Sequence, residues 1–334
     1  MMKIIIYNDI DRSAWSSLVL FSSAGTWFQT PEAYDFYASQ PELFKPFAFG
    51  LENNGKLCGV CVGYVTVEKS ALKQMLTRRA IIVGGPAFAD DCTDEEVAAL
   101  MHAVRKELRS KAIYVECRNF NDFSRWKEAF VSAGFDYVPH LNFHVDTSSV
   151  EVVDANLGKS RKRDIRTTIR EGVTIVEHPT EEQVVEYYSI LKNLYEKKVK
   201  TPLFPLSFFI ELNKHKDGRL LLTEYNGHII GGTVCVALEG KCLYEWFACG
   251  VDGVYPHVFP SCYATYAGIR YAAEHNMPRF DMMGAGTPDE AYGVRDFKAK
   301  FGGKEVEHGR FLCVTKPLLY NIGVLGVKIL KKLK

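Results

Sequence analysis

The sequence predicts an α+β fold in which one unit, a mixed sheet with flanking helices, occurs twice in tandem. Three observations carry this expectation. Two Asn-Gly dipeptides, Asn54-Gly55 and Asn226-Gly227, each lie between two β-rich runs. Downstream, WKEAFVSAGFDYV (126–138) is echoed by VRDFKAKFGGKEV (294–306). The spacings agree: Gly227 follows Gly55 by 172 residues and Gly302 follows Gly134 by 168.

Asn and Gly both accept positive φ, so Asn-Gly between strands predicts a type I′ hairpin turn. PFAFGLEN enters the first turn and NGKLCGVCVGYV leaves it; RLLLTEYN and NGHIIGGTVCVAL flank the second. An amphipathic helix then follows in each half. DEEVAALMHAVRKEL, from Asp94, has acids in its first turn and bases in its last. SCYATYAGIRYAAEHN (261–276) is closed by Pro278. A β-like segment comes next in each half, AIYVEC (112–117) and PRFDMMG (278–284), before the echoed helix and turn. The expected domains are therefore 1–150 and 151–316, meeting near Ser148 to Asn156. A further helix is expected over 181–198, broken by the prolines of TPLFPLSFF (201–209). Residues 317–334 predict a basic amphipathic helix. Leu318, Ile322, Leu325, Ile329 and Leu333 share one face, and Lys328, Lys331, Lys332 and Lys334 project elsewhere.

With 334 residues, 47% hydrophobic and 24% charged, the chain has globular composition. This excludes a disordered, collagen-like or multi-span membrane protein. Lys and Arg number 41 against 40 Asp and Glu, so the net charge is +1 and any anion site must be a local cluster. Nine Cys, an odd number scattered through apolar stretches, predict reduced core thiols rather than a secreted disulfide framework. Cys58 and Cys61 lack a second ligand pair at zinc spacing, and no metal is expected. The apolar run in MMKIIIYNDIDRSAW is too short for a signal peptide. No stretch reaches the roughly 18 apolar residues that span a bilayer. The expected location is cytoplasmic.

Candidate site residues cluster in the second half. Arg163, Arg166 and Arg170 share one face of a predicted helix within SRKRDIRTTIREGV, and their planar forks suit phosphate. Lys298 is the leading single candidate, following Asp281, Gly284 and Gly286 at the end of a predicted strand. At the 168 offset its counterpart is Phe130, so only one copy carries a cation there. Phe297 is placed to pack the crossover or stack on an adenine or sugar. Asp281 is placed to orient an ammonium nucleophile, or to cap a turn. Arg295 and Lys300 are candidate phosphate partners, and Tyr255 and Tyr292 candidate substrate contacts. His140 and His144 would face one side of a strand as an edge or core pair.

The order of elements in each half resembles a GNAT-type acyltransferase domain. Two such domains in one chain resemble the Fem family, peptidoglycan-bridge aminoacyltransferases that add amino acids from aminoacyl-tRNA to a muropeptide precursor. The likeness is carried by GTWFQTPEAYDFY (25–37), SRKRDIRTTIREGV (160–173) and FDMMG (280–284). Most specific is YGVRDFKAKFGG (292–303), similar to the family's Gly-x-x-x-Phe-Lys-x-x-Phe-Gly segment. There is no extended heptad region for a helical arm, so the chain resembles the shorter members.

The resemblance implies transfer of an activated amino acid from aminoacyl-tRNA to an amine of a UDP- or lipid-linked muropeptide. It implies no cofactor. The basic amphipathic pattern of residues 317–334 predicts either peripheral contact with the inner membrane face, where lipid-linked precursors sit, or a helix packed on the protein's own core. Lys298, Phe297 and Asp281 would be catalytic. Such a transfer needs alignment and oxyanion stabilisation, not a protein nucleophile, and there is no Gly-x-Ser-x-Gly elbow. A conventional coenzyme A site is not expected. Pro256 and Pro260 remove backbone donors before the second crossover helix, and acids crowd the first. Two alternatives stand: an N-acyltransferase acting on an amino sugar of a surface polysaccharide, and a non-catalytic cell-wall-precursor binding protein.

Overall fold

The computed structural model describes residues 2–332 apart from 69, 71–73, 75 and 76. Two compact units emerge: Met1–His140 with Glu307–Lys334, and Leu141–Val306. In the first, β1 (Met2–Ile6), α1 (Arg12–Phe21), α2 (Pro31–Ala38), β2 (Phe44–Asn53), β3 (Lys56–Thr66), β4 (Ala80–Gly84) and β5 (Ala87–Phe88) are followed by α3 (Asp94–Leu108), β6 (Tyr114–Asn119), α4 (Lys127–Ser132) and β7 (Asp136–Val138). In the second come β8 (Leu141–Asp146), α5 (Val150–Asn156), α6 (Lys159–Arg170), β9 (Thr174–Val176), α7 (Glu181–Leu194), α8 (Leu206–Lys214), β10 (Gly218–Tyr225), β11 (His228–Leu238), β12 (Cys242–Gly250), α9 (Pro260–Glu274), β13 (Arg279–Asp281), α10 (Gly293–Ala299) and β14 (Lys304–Glu307). The chain then returns to the first unit through β15 (Arg310–Val314) and α11 (Pro317–Lys332).

The sheets share one plan. The first runs β1-β2-β3-β4-β6-β15-β7 and the second β9-β10-β11-β12-β13-β8-β14. Each has a hairpin, an antiparallel third strand, a crossover helix and a parallel fourth strand. The predicted turns are equivalent: φ is 50° and 78° at Asn54 and Gly55, and 53° and 77° at Asn226 and Gly227. Gly134 and Gly302, at φ 85° and 78°, close the shorter helices α4 and α10.

The unit boundaries depart from residues 150 and 316. β8 already belongs to the second sheet, where it pairs with β13, and β15 returns to pair with β6 and β7. Local turn signals mark where a strand ends, not which sheet it joins. The two histidines part accordingly. His140 Nε2 lies 2.9 Å from Arg310 Nη2 in the first unit, while His144 Nε2 lies 3.1 Å from Asp281 in the second.

α3 is held at its start by a capping box of Thr93 and Glu96. Its apolar stripe, Val97, Leu100, Met101, Val104 and Leu108, joins Trp126, Phe130, Phe135 and Phe311 in the first core. The second core gathers Leu243, Ile269, Phe280, Met282 and Phe301. All nine cysteines are buried, unpaired thiols. The potential ligand atoms of Cys58, Cys92 and Glu96 lie within 4.8 Å of one another. Each nonetheless has a partner. Cys58 donates to Leu51 O at 3.3 Å, Cys92 donates to Cys58 O at 3.0 Å, and Glu96 closes the capping box. The helix expected over 181–198 stays α-helical only to Leu194 and continues as a π-turn over Tyr195–Val199.

β3 and β4 pair only at Tyr64–Ile81 and Val65–Ala80, and a side chain takes over where they separate. Gln29, fully buried, donates to Val62 O and Val83 O at 2.9 Å and accepts from Val62 N at 2.7 Å. Its amide replaces ladder hydrogen bonds, so the opening is plugged. Gln29→Leu should keep the volume and orphan these buried backbone groups. At about 1–3 kcal/mol per group the loss is several kcal/mol. Urea unfolding measures it, and an unchanged midpoint would refute the plug.

Candidate functional site

The second unit opens where the first is closed. In the first, the parallel pair β4–β6 runs through five residue pairs, from Ala80–Val115 to Gly84–Asn119. In the second, its counterpart β12–β13 has two, Leu243–Phe280 and Tyr244–Asp281, before the strands part. Ligand sites form beyond the carboxyl ends of parallel strands, where the backbone diverges. Here a cavity of about 820 Å³ lies between Glu245–Gly250 of β12 and Met282–Gly284 after β13. Its wall is completed by the end of α7, the π-turn and α10. β12 carries a bulge: Val234 faces Phe247 and Cys235 faces Glu245, so Trp246 is the extra residue. Bulges re-aim side chains beside functional sites.

Lys298, on α10, reaches into this wall. Its ammonium donates to three consecutive carbonyls, Met282 O, Met283 O at 2.7 Å and Gly284 O at 3.1 Å. That convergence needs a tight turn, and Met283 has φ 49°, sparsely populated for a side-chain-bearing residue. Asp281 supports it by accepting from Met283 N and Asn142 Nδ2, both at 2.8 Å.

Burial acts to raise the Asp281 carboxyl pKa, but His144, Arg279 and Asn142 outweigh it, and the group lies below the ordinary value. Burial lowers the Lys298 pKa, opposed by the Glu245 and Asp281 carboxylates. Burial raises Glu245 above the usual carboxylate value, opposed by Lys298 and by the Thr265 and Thr233 hydroxyls. The Thr233 hydroxyl donates to Glu245 Oε1 at 3.2 Å.

The cavity brings together Lys298, Phe297 and Tyr292 of the expected residues. Asp281 is fully buried and lies behind the wall as the anchor of the 282–284 turn. Arg295 is spent on its own loop, donating to Ala285 O at 3.1 Å, Pro288 O at 3.4 Å and Thr287 O. Lys300 is exposed, and its carbonyl accepts from Gly158 N at 3.0 Å. Tyr255 packs edge-on against Tyr225, with ring centroids 5.2 Å apart. Arg163, Arg166 and Arg170 are exposed along α6 and do not line the cavity. Sequence reasoning missed Glu245, Trp246, Phe247, Tyr195 and Asp252, which do. One signal was available for Glu245, a lone acid inside the apolar strand CLYEWFACG.

The start of α9 is also occupied. Asp252 Oδ1 accepts from Ser261 N at 3.0 Å, and Pro260 contributes no N–H. Gly250 presses so close that a Cβ there would lie 2.4 Å from Ser261 N.

The coupling between Glu245 and Lys298 has a direct consequence. A carboxylate favours the neighbouring ammonium, so Glu245→Gln should move the Lys298 titration to lower pH. The pH dependence of Lys298 acylation by an amine-selective reagent, followed by peptide mass spectrometry, measures this. A curve unchanged or moved to higher pH would refute the coupling.

Residues 221–325 match the model of the FemAB family. Among solved structures, FemX aligns with a TM-score of 0.74 at 12% identity, covering 96% of this chain and 99% of its own. L-PGS from Bacillus licheniformis aligns with a TM-score of 0.57 at 12% identity, covering 96% and 97%. A tandem GNAT protein from the clavulanic acid biosynthesis pathway aligns with a TM-score of 0.56 at 10% identity, covering 94% and 99%. No curated protein matches the chain by sequence. The family match spans β12, β13 and α10, three of the elements that line the cavity, and the solved structures share the fold of two GNAT-like units, so the chain is similar to the FemAB family over the segment that carries Lys298.

Proposed function

We propose that the cavity of the second unit transfers an activated amino acid from aminoacyl-tRNA to an amine of a peptidoglycan precursor, a UDP- or lipid-linked muropeptide. The observation that carries this reading is the early parting of β12 and β13, with Lys298 and Glu245 both lining the cavity it opens. The first unit, zipped at the equivalent strands and plugged by Gln29, serves as scaffold. The donor assignment draws support from α9. A helix N-terminus that held a pyrophosphate would need free N–H groups, but Asp252 takes one and puts negative charge there. This disfavours a coenzyme A thioester and an amino-sugar acyltransferase built on one.

In this mechanism the amine attacks the ester carbonyl, the carbonyl oxygen becomes an oxyanion, and the ester oxygen of the nucleotide leaves. An oxyanion accepts more strongly than a neutral carbonyl, so it exchanges for one of the three oxygens now holding Lys298. Glu245, its basicity raised by burial, takes the proton that nitrogen gives up as the neutral amine adds to the carbonyl, and returns it to the departing ester oxygen, which leaves as a hydroxyl. Phe297 and Tyr292 line the adjacent wall and order the acyl group. The exposed arginines of α6 (Arg163, Arg166 and Arg170) meet phosphates of the substrates.

Lys298→Met tests the reading, because it keeps the stem and removes the charge. The expected loss in kcat is about 10²–10³-fold, the scale for one oxyanion donor. Lys298→Arg should recover only part. The assay is aminoacyl transfer from charged tRNA to a muropeptide, beside a thermal melt. Full activity at an unchanged melting temperature would reject the site. Tight muropeptide binding without transfer from any activated donor would favour the non-catalytic alternative.

The reading extends to the membrane through α11. No helix among the described residues is long and apolar enough to cross a bilayer. Leu318, Ile322 and Leu325 nevertheless stand 82%, 63% and 59% exposed, while Tyr320 packs against Tyr114 with ring centroids 5.4 Å apart. The side chains of Lys328, Ile329, Lys331 and Lys332, with Leu333 and Lys334, lie outside the described residues. An apolar face with flanking lysines would bind the interface of anionic lipid. Anionic liposomes should co-sediment the full chain and not one ending at residue 317. Equal pelleting of both would reject the contact.

A further inference from the structure

We propose that Arg161 is a positioning residue for Lys298, acting through the aromatic rings of Phe297 on α10 and Phe301 just beyond it. This inference rests on the reading of Lys298 given above. Arg161 stands apart from the rest of the basic stretch. Lys159, Arg163, Arg166 and Arg170 are exposed, whereas the Arg161 side chain is 12% exposed and turned inward. Its guanidinium carbon lies 4.5 Å from the ring centroid of Phe297 and 5.0 Å from that of Phe301. Asp164 lies 3.6 Å from its Nη1. Its Nε is buried without a hydrogen-bond partner among the described residues. The head group thus lies over ring faces, a contact that suits a weakly hydrated planar cation, with Asp164 and the Cys262 thiol as its polar partners.

The position matters because the hydrogen bonds of Arg295 and Lys298 tie α10 to the loop before it, whereas Arg161 holds the helix from the α6 side. The helix is seven residues long, and Arg295, Phe297 and Lys298 are its partly buried side chains. It is seated on the junction of α5 and α6. Gly158 N donates to Lys300 O at 3.0 Å, and a Cβ at Gly158 would lie 2.8 Å from that oxygen. A Cβ at Gly302 would lie 2.2 Å from Asn156 O. These backbone contacts fix the C-terminal end of α10. Arg161 fixes its middle, at the residue directly before Lys298. Removing it frees Phe297 to shift within the cavity wall, and the ammonium leaves its three carbonyls. A displacement of about 1 Å at a reacting group costs on the order of 10²-fold in rate.

The test is a double-mutant cycle of Arg161→Met and Lys298→Met, read in aminoacyl transfer. Arg161→Met should lower kcat about 10- to 100-fold, with the donor KM within about twofold. Arg161→Lys should recover little, since an ammonium presents no planar face. The double variant should be no slower than Lys298→Met alone. Multiplicative losses, or a change confined to KM, would overturn the positioning role and leave the site reading intact. A fully active Lys298→Met would overturn the site reading and this inference with it. One readout is independent of activity: in Arg161→Met and Arg161→Lys, acylation of Lys298 should titrate at higher pH, toward an ordinary lysine, as its burial is relieved. An unchanged titration in both variants would overturn the proposal.

Discussion

The cavity of the second unit depends on two parallel strands that stop pairing early. β12 and β13 share two residue pairs and then diverge. Backbone groups that leave a ladder must find other partners or line a solvated space. Here the strands take different routes. On the β13 side three carbonyls turn onto the Lys298 ammonium, and on the β12 side a bulge turns Glu245 and Phe247 along the wall. The cavity and its charges are two consequences of one parting.

The first unit resolves the same plan in the opposite way. β4 and β6 stay paired through five positions, and the gap between β3 and β4 is filled by the Gln29 amide. At the position matching Lys298 stands Phe130, fully buried and stacked on Phe311 at 4.1 Å. A cation there would lie in an apolar core without a partner, at high desolvation cost. One sheet plan thus yields a sealed unit and an open one. What separates them is where the ladder ends and which side chain occupies the helix that follows.

Much of this was legible in the residues. The Asn-Gly turns, the acid-first helix at Asp94, the basic helix over 159–170 and the Phe-Lys-x-x-Phe-Gly segment all act locally. Their conformation depends on neighbours within a turn or two, through positive φ, capping or helical spacing. For the same reason Lys298, Phe297 and Tyr292 could be named before any fold was known. Asp281, Arg295 and Tyr255 carried similar local signals, yet their partners sit elsewhere in the chain. Asp281 is bound to Asn142 and His144 from β8, and Tyr255 to Tyr225 from β10. A residue type signals what chemistry is available, but burial decides whether substrate can reach it.

The sequence by itself determined the duplicated plan, its turns, its helices and the segment that carries the lysine. These follow from local backbone preference and hydrophobic periodicity. Only the tertiary structure decided which sheet β8 and β15 join, since hydrogen-bond partners on strands distant in sequence leave no mark in local pattern. It also decided that the parallel pair opens in one unit alone, and that Glu245 and Asp252 stand at the opening. Arg161, one of six bases within residues 159–170, was distinguished in the same way. Its burial against Phe297 and Phe301 depends on α6 and α10 packing across more than 130 residues of chain. Such contacts are made by packing rather than by sequence neighbours.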